Sequence, residues 1–320
     1  MSLAKIIKEI QKHKTFLVST HVNPDADALA SELAVALYLK GLKKKVHVVN
    51  VEEAPSRFSF IPAVHLIQSL KDYKRIDYDV AIILDCGDLD RIDAVKTLLD
   101  KDKGLINIDH HLTNDSFGKI NYIDPNASST AEVLFDLFKM AKFPLSKDMA
   151  VLLYLGIMTD TGSFRYDSTT AYTHKVTSEL MKFKFSVSDL YRKLYERVPI
   201  EDLKLFTKVV NSFEKLHDGR VVYIEMRKKT IDKFSKEFDV RDKIFNFLRA
   251  IKGVEVIIIL TEDGPNKTRA NFRSQGENVN VADLAYYFKG GGHRKASGCM
   301  IHMGLVDAKA QLLAQLEQML

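Results

Sequence analysis

TFLVSTHVNPDADALASELAVALYLK, residues 15–40, changes its periodicity partway along and thereby decides the fold. Its first five residues, TFLVS (15–19), form a β-rich apolar run, and residues 26–40 are an Ala- and Leu-rich stretch with a helical pattern. Between them lies a polar turn whose Pro24 suits a helix entrance. A strand passing straight into a helix is the opening of a βαβ unit. Further strands are expected at VHVVN (46–50), DVAIILD (79–85) and GLINID (104–109), with another helix over 128–140. Runs such as AIIL show little polar alternation, as in strands covered on both faces of a parallel sheet. The fold class is therefore α/β, with a mainly parallel sheet flanked by helices. In such sheets the chemistry gathers outside the carboxyl ends of the strands.

The pattern changes in the second half. Beyond Met158 it is helical to about residue 216, and the charge-rich residues 198–213 match neither neighbour, so a connecting helix is expected. A second β-containing unit follows: VVYIEM (221–226), VEVIIIL (254–260) and KTRANFRS (267–274), a helix over 281–288, a glycine-rich loop at 290–292 and a terminal helix over 306–320. The expected domains are 1–197, a helical linker 198–216, and a smaller α/β domain with a mixed sheet, 217–320. The length of 320 residues suits two cores better than one.

Composition excludes several classes. With 46% hydrophobic and 28% charged residues, the chain is globular rather than disordered or fibrous. Its 47 basic and 42 acidic residues give a net charge of +5 without a long basic run. That argues against a surface for duplex DNA and leaves anionic ligands open. Cys86 and Cys299 supply neither a disulfide framework nor metal-ligand spacing, so a reducing cytoplasm is expected. The opening MSLAKIIKEIQKHK has no apolar signal core, and VLLYLGIM (151–158) is far short of the roughly 20 residues a membrane span needs. No membrane role is expected.

Four polar clusters stand at the ends of these elements. His21, Asp25 and Asp27 follow the first strand, and two carboxylates so close together either face water or share a cation; helix capping is the alternative. Asp85 ends an apolar strand abruptly and should emerge at the same sheet edge as His21. Asp109, His110 and His111 end the next strand, and mixed imidazole and carboxylate donors suit Mn²⁺, Fe²⁺, Co²⁺ or Zn²⁺ better than Ca²⁺. Asp160, after an apolar helix and between two threonines, adds one more carboxylate or merely ends the helix.

HVNPDAD, ILDCGD, DHH and GIMTDTGSFRY resemble, in order and spacing, the motifs of the DHH phosphoesterases, and KTRANFRS with GGGHRKASG resembles their DHH-associated C-terminal domain. The resemblance spans nearly the whole chain and is strongest to the oligoribonuclease, or nanoRNase, type. One departure is Ala26-Asp27-Ala28, where many relatives carry Gly-Asp-Ala. The carboxylate is kept.

The resemblance implies two divalent ions, Mn²⁺ first and Mg²⁺ or Co²⁺ as alternatives. His21, Asp25 and Asp85 would hold one, and Asp27, Asp85, His110 and Asp160 the other, with Asp85 shared. Such a pair activates a water as hydroxide. Asp85, Asp109 and His111 are then the catalytic candidates, Asp109 orienting a histidine and His111 touching phosphate. Arg273, Ser274, Gly290, Gly291, Gly292 and His293 would grip the substrate, with Arg165 and Arg269 as weaker candidates. For the glycines, a tight turn is the structural alternative. The implied activity is hydrolysis of oligoribonucleotides a few residues long, and of 3′-phosphoadenosine 5′-phosphate to AMP, by a possible homodimer. A pyrophosphatase or exopolyphosphatase, a linear or cyclic dinucleotide phosphodiesterase, and a non-catalytic nucleotide sensor are the competing readings.

Overall fold

The computed structural model describes residues 2–235, 238–275 and 279–319. It divides into two compact units, Met1–Glu196 and Arg197–Leu320. In the first, α1 (Leu3–Lys12), β1 (Thr15–Ser19), α2 (Ala26–Gly41) and β2 (Lys45–Asn50) are followed by β3 (Ile67–Ser69), β4 (Val80–Leu84), β5 (Gly104–Asp109) and β6 (Ile120–Ile123). Four helices then follow: α3 (Thr130–Met140), α4 (Lys147–Asp160), α5 (Ala171–Met181) and α6 (Val187–Tyr195).

The strand order is β3-β2-β1-β4-β5-β6, and each neighbouring pair is parallel. The chain thus runs outward one way from β1 and the other way from β4. A crevice opens at such a reversal, beyond the carboxyl ends of the two strands. The short strands β3 and β6 had no clear signature in the sequence.

One face of this sheet is covered by helices. Residues 149–158 of α4 are all buried, which explains why that stretch is apolar all round. Each fully buried Leu or Ile there contributes roughly 1.5–3 kcal/mol. Much of the other face is covered differently. A 3-10 segment, Leu89–Leu98, carries Ile92, Val95 and Leu98 into small clusters with Ile83, Ala81 and Leu17. The strand–helix–strand alternation expected from the sequence is therefore complete only at β1-α2-β2.

The second unit contains α7 (Ile200–Val210), β7 (Glu214–Leu216), β8 (Val221–Met226), α8 (Lys228–Ile231), α9 (Val240–Leu248), β9 (Val256–Gly264), β10 (Lys267–Ser274), α10 (Val281–Tyr287), β11 (Gly291–His293), β12 (Ala296–Ile301) and α11 (Leu305–Glu317). Its sheet, β11-β12-β10-β9-β8-β7, is mixed: β8 and β9 are parallel, the other pairs antiparallel. In β9, Val256, Ile258 and Leu260 pack with α10 and α11, while Ile257 and Ile259 pack with α7 and α9. Burial on both faces is what the uninterrupted apolar run records.

Residues 198–216, expected as a linker, fall within this second unit. α7 buries Phe206, Val209 and Val210 in its core, β7 forms the sheet edge, and Asp202 accepts the Ser235 amide at 3.0 Å. An amphipathic helix with a partner sheet does not stay a free connector.

Candidate metal centre

The centre is built where β1 and β4 end. Thr20 Oγ donates to the Leu84 carbonyl at 2.8 Å, tying the two strand ends together just before His21 turns away. His21 is buried, and its Nδ1 lies 2.9 Å from the Val22 carbonyl oxygen. Asp25 is the N-cap of α2, its Oδ1 accepting the Ala28 amide at 3.0 Å. It also lies in a group with His21 and Asp85 whose donor atoms are all within 4.8 Å of one another. Capping and membership of the cluster are thus compatible.

Asp27 does something the sequence did not suggest. It accepts the backbone amides of Thr130 at 2.8 Å and Ala131 at 3.1 Å, so a carboxylate from α2 caps the first turn of α3. Gly156 of α4 lies close against it. A Cβ at Gly156 would stand 2.2 Å from Asp27 Oδ1, so only glycine permits this approach.

Asp85 leaves β4 with φ at +51°, a left-handed conformation that costs most residues about 1–2 kcal/mol and that Asp tolerates better. The turn points its carboxylate back into the centre. Thr130 Oγ donates to Asp85 Oδ1 at 2.9 Å, and the ring nitrogens of His21, His110 and His111 stand 3.8, 3.7 and 3.8 Å from its oxygens.

At the end of β5, Asp109 is fully buried and fully engaged. It accepts the His110 amide at 2.8 Å, His111 Nδ1 at 2.7 Å and Asn114 Nδ2 at 2.6 Å. Asp109 therefore fixes His111 rather than His110. His110 Nδ1 instead lies 3.3 Å from the Ala127 carbonyl oxygen, and its Nε2 is 2.9 Å from Asp160 Oδ2. Asp160 is the last residue of α4 rather than the one beyond it. The three residues after Thr161 are all left-handed, Gly162, Ser163 and Phe164 at φ +57°, +60° and +65°. Thr161 holds that turn: its hydroxyl donates to the Ile157 carbonyl at 2.6 Å and accepts the Phe164 amide at 3.0 Å.

Three overlapping donor groups result: His21, Asp25 and Asp85; Asp27, His110 and Asp160; Asp85, His110 and His111. Their electrostatics show the strain of gathering carboxylates. Burial, then the charges of Asp85 and Asp160, push the Asp27 carboxyl well above its usual range. Burial likewise raises Asp160 to about 6 against the hydrogen bond from His110. Burial opposes charge on His110, but Asp160, Asp85 and Asp27 outweigh it and raise its pKa to about 10. Asp85 is held far below the carboxylate range, its burial outweighed by the three histidines.

These residues fit divalent cations on the chemistry of the donors. In both His21 and His110, Nδ1 faces a carbonyl oxygen, which requires that nitrogen to carry the proton. Nε2 is then the lone-pair donor, and it is Nε2 that faces the carboxylates. Positive charge would relieve the repulsion that now perturbs Asp27 and Asp160.

The second-unit candidates are arranged otherwise. Gly290 spends its amide on the Ala285 carbonyl at 2.8 Å, closing α10. Gly291 and Gly292 belong to an edge strand paired with β12, and Gly292, at φ +134°, leaves no room for a Cβ beside the Ala296 carbonyl. Neither the expected loop nor a tight turn describes them. Ser274 is buried and donates to the Arg294 carbonyl at 3.1 Å, so its hydroxyl serves the turn between β11 and β12. The Arg273 guanidinium lies over the Phe245 ring, 4.6 Å from its centre, and Nη1 donates to the Phe272 carbonyl at 3.0 Å. The side chain of His293 lies outside the described residues. Arg165 donates Nε to the Gly162 carbonyl at 2.6 Å, and Arg269 is exposed on β10.

Sequence reasoning missed Thr130, Asn114 and Gly156. Asn114, three residues past the second histidine, was the readable one. Thr130 and Gly156 act through contacts far apart in the chain.

Comparison with known proteins places these observations. Residues 15–157 match the DHH family, N-terminal domain, and residues 218–320 match the DHHA1 domain. The chain is 29% identical over 324 residues to the bifunctional oligoribonuclease and PAP phosphatase NrnA of Bacillus subtilis, covering 98% of this chain and 97% of that protein. It is 31% identical to the probable bifunctional oligoribonuclease and PAP phosphatase NrnA of Streptococcus mutans, over 92% of this chain and 91% of the relative. Among solved structures, an exopolyphosphatase-related protein from Bacteroides fragilis superimposes with a TM-score of 0.89 at 28% identity, covering 98% of this chain and 94% of that one.

Proposed function

The chain belongs to the DHH family, and from that premise we propose that it is a manganese-dependent phosphoesterase of short oligoribonucleotides, releasing mononucleotides, and of 3′-phosphoadenosine 5′-phosphate, releasing AMP. One observation carries the reading. Asp85, strained into position, is common to two donor groups, and His110 joins the second of them to a third.

We assign His21, Asp25 and Asp85 to one ion and Asp27, Asp85, His110 and Asp160 to the other. Two divalent ions held by these residues would supply a hydroxide at neutral pH and offset charge on the attacked phosphate. His111, held by Asp109, contacts a phosphate oxygen. Asp27 and Thr130 brace the cluster from below through α3. In the second unit, Arg273 and the Gly291–Gly292 strand hold substrate, while Ser274 and Gly290 keep that strand in shape.

Cys86 and Cys299 are both buried and free, which supports a reducing cytoplasm. Among the described residues no helix is long and apolar enough to cross a membrane. A homodimer belongs to the same proposal and is read by light scattering.

The test is a panel of a linear dinucleotide, 3′-phosphoadenosine 5′-phosphate, a cyclic dinucleotide, pyrophosphate and polyphosphate, assayed with Mn²⁺, Mg²⁺, Co²⁺ or no added metal. The first two should turn over fastest, best with Mn²⁺ and not without metal. Release from neither of them with any metal overturns the proposal. The Bacteroides fragilis likeness makes polyphosphate the second reading, and faster turnover of polyphosphate than of the dinucleotide would favour it.

A further inference from the structure

The end of α10 carries a feature that the functions assigned above leave unused. The helix buries Val281, Leu284 and Ala285, with Phe288 packed against the same core, at the 3–4 residue spacing of an inward face. Tyr286 and Tyr287 lie off that face and are 79% and 60% exposed. A single exposed aromatic residue is ordinary, but two adjacent ones at a helix end gain little from folding and offer large flat surfaces to a partner.

Their position narrows the partner. The helix closes through Lys289 N to the Tyr286 carbonyl at 2.8 Å and Gly290 N to the Ala285 carbonyl at 2.8 Å, and Gly291 then starts the edge strand β11. Only three residues separate Tyr287 from Gly291, so the two lie within about 14 Å. Lys289 between them is exposed, and Arg294 and Lys295 follow at the strand's turn, both exposed. Two tyrosines and a lysine leading to Gly291, beside which a Cβ would meet nothing within 4 Å, make the pairing of stacking surface and positive charge that single-stranded nucleic acid requires. A hydrophobic protein partner would be poorly served by this flanking charge.

We propose that Tyr286 and Tyr287 form a stacking platform for the bases of an oligoribonucleotide, and so set the preference for substrates longer than a mononucleotide. The inference rests on the proposed oligoribonuclease activity and deepens it. Arg273 and the glycine strand hold phosphate, whereas the tyrosines would read length through the π-faces of the bases, without regard to sequence.

The test uses the full chain and two readouts. The first is KM and kcat with Mn²⁺ for 3′-phosphoadenosine 5′-phosphate and for the di- and trinucleotides of adenosine, in the wild type and in Tyr286→Ala, Tyr287→Ala, the double variant and the double Tyr→Phe variant. Loss of stacking should raise the trinucleotide KM roughly tenfold or more in the double alanine variant, with the rise growing with length, kcat less affected, and the phenylalanine variant rescued. The second readout needs no turnover. The chain has 12 tyrosines and no tryptophan, so tyrosine fluorescence reports stacking directly in a titration of metal-free protein with trinucleotide. Saturable quenching in the wild type, reduced in the alanine variants but not in Tyr191→Ala, supports the platform.

A trinucleotide KM that stays level in the double alanine variant, with hydrolysis intact, overturns the platform and leaves the oligoribonuclease reading standing. Absence of nucleotide hydrolysis by the wild type sinks that reading instead, and the titration alone then decides whether the tyrosines stack bases. Equal quenching in wild type and alanine variants overturns the platform in either case.

Discussion

The two units answer the same question differently. In the first, every acidic or imidazole side chain picked out from the sequence as a metal ligand points into one small volume. In the second, Ser274 and Gly290 are bonded within their own fold, and Gly291 and Gly292 form an edge strand. The reason is chemical. Carboxylates crowded at strand ends repel one another and have few purely structural uses, so their pattern carries information. Glycine and serine have many such uses, and their pattern alone carries little.

The sharpest way to break this contrast is Asp85→Asn. Asparagine tolerates the left-handed backbone and keeps the acceptor for Thr130, so the change removes charge and little else. Turnover of a dinucleotide should fall by about a thousandfold or more, as for loss of a principal electrostatic group, with thermal unfolding nearly unchanged. Full turnover would end the idea of a shared ligand.

Asp109→Asn tests positioning within the same unit. It weakens the hold on His111, and a drop of roughly 10–100-fold in kcat is expected, the size seen when the partner of a ligand or catalytic histidine is lost. The pH profile should shift as well, because Asp109 raises the pKa of His111 against the effect of burial.

Glu32 supplies a control inside the first unit, a carboxylate on α2 that stands apart from the cluster. It is fully buried and one of its oxygens has no partner, so burial raises its pKa to about 8 although Asn50 donates to it at 2.8 Å. A raised folded pKa means that its contribution to stability is complete below the ordinary value near 4.5 and is lost as pH climbs toward 8. Glu32→Gln keeps the bond to Asn50 and removes the titration. Its stability relative to wild type should increase between pH 5 and 8, by about 1 kcal/mol per pH unit at the steepest. A constant difference measured by denaturant unfolding at each pH would refute this.

The smallest effect is expected from Ser274→Ala. Loss of the bond to Arg294 should cost about 1 kcal/mol and leave the dinucleotide KM within a factor of two. A tenfold rise in KM would show that the hydroxyl meets phosphate after all, and the contrast between the units would blur.

These same residues show what the sequence made legible. Strands β1, β4 and β5 are apolar runs ending in acidic or basic side chains, and both the sheet and its active edge follow from them. β3, β7 and β11 are three residues each, too short for any periodicity. β12, ASGCMI, mixes small and polar residues because it lies beside the edge, and it too was missed. The cap of α3 by Asp27 joins positions 103 residues apart, and no local pattern encodes that. The linker was misjudged because charge on the outer face of α7 masked the apolar residues on its inner one.

The amides of Thr130 and Ala131 donate to Asp27, and the hydroxyl of Thr130 donates to Asp85, so groups of the chain itself orient two carboxylates of the cluster. Bonds made by the chain itself do not leave with the ions, so a chelator is expected to abolish turnover and lower the melting temperature while the far-ultraviolet dichroism at room temperature is kept; its collapse on chelation would refute this.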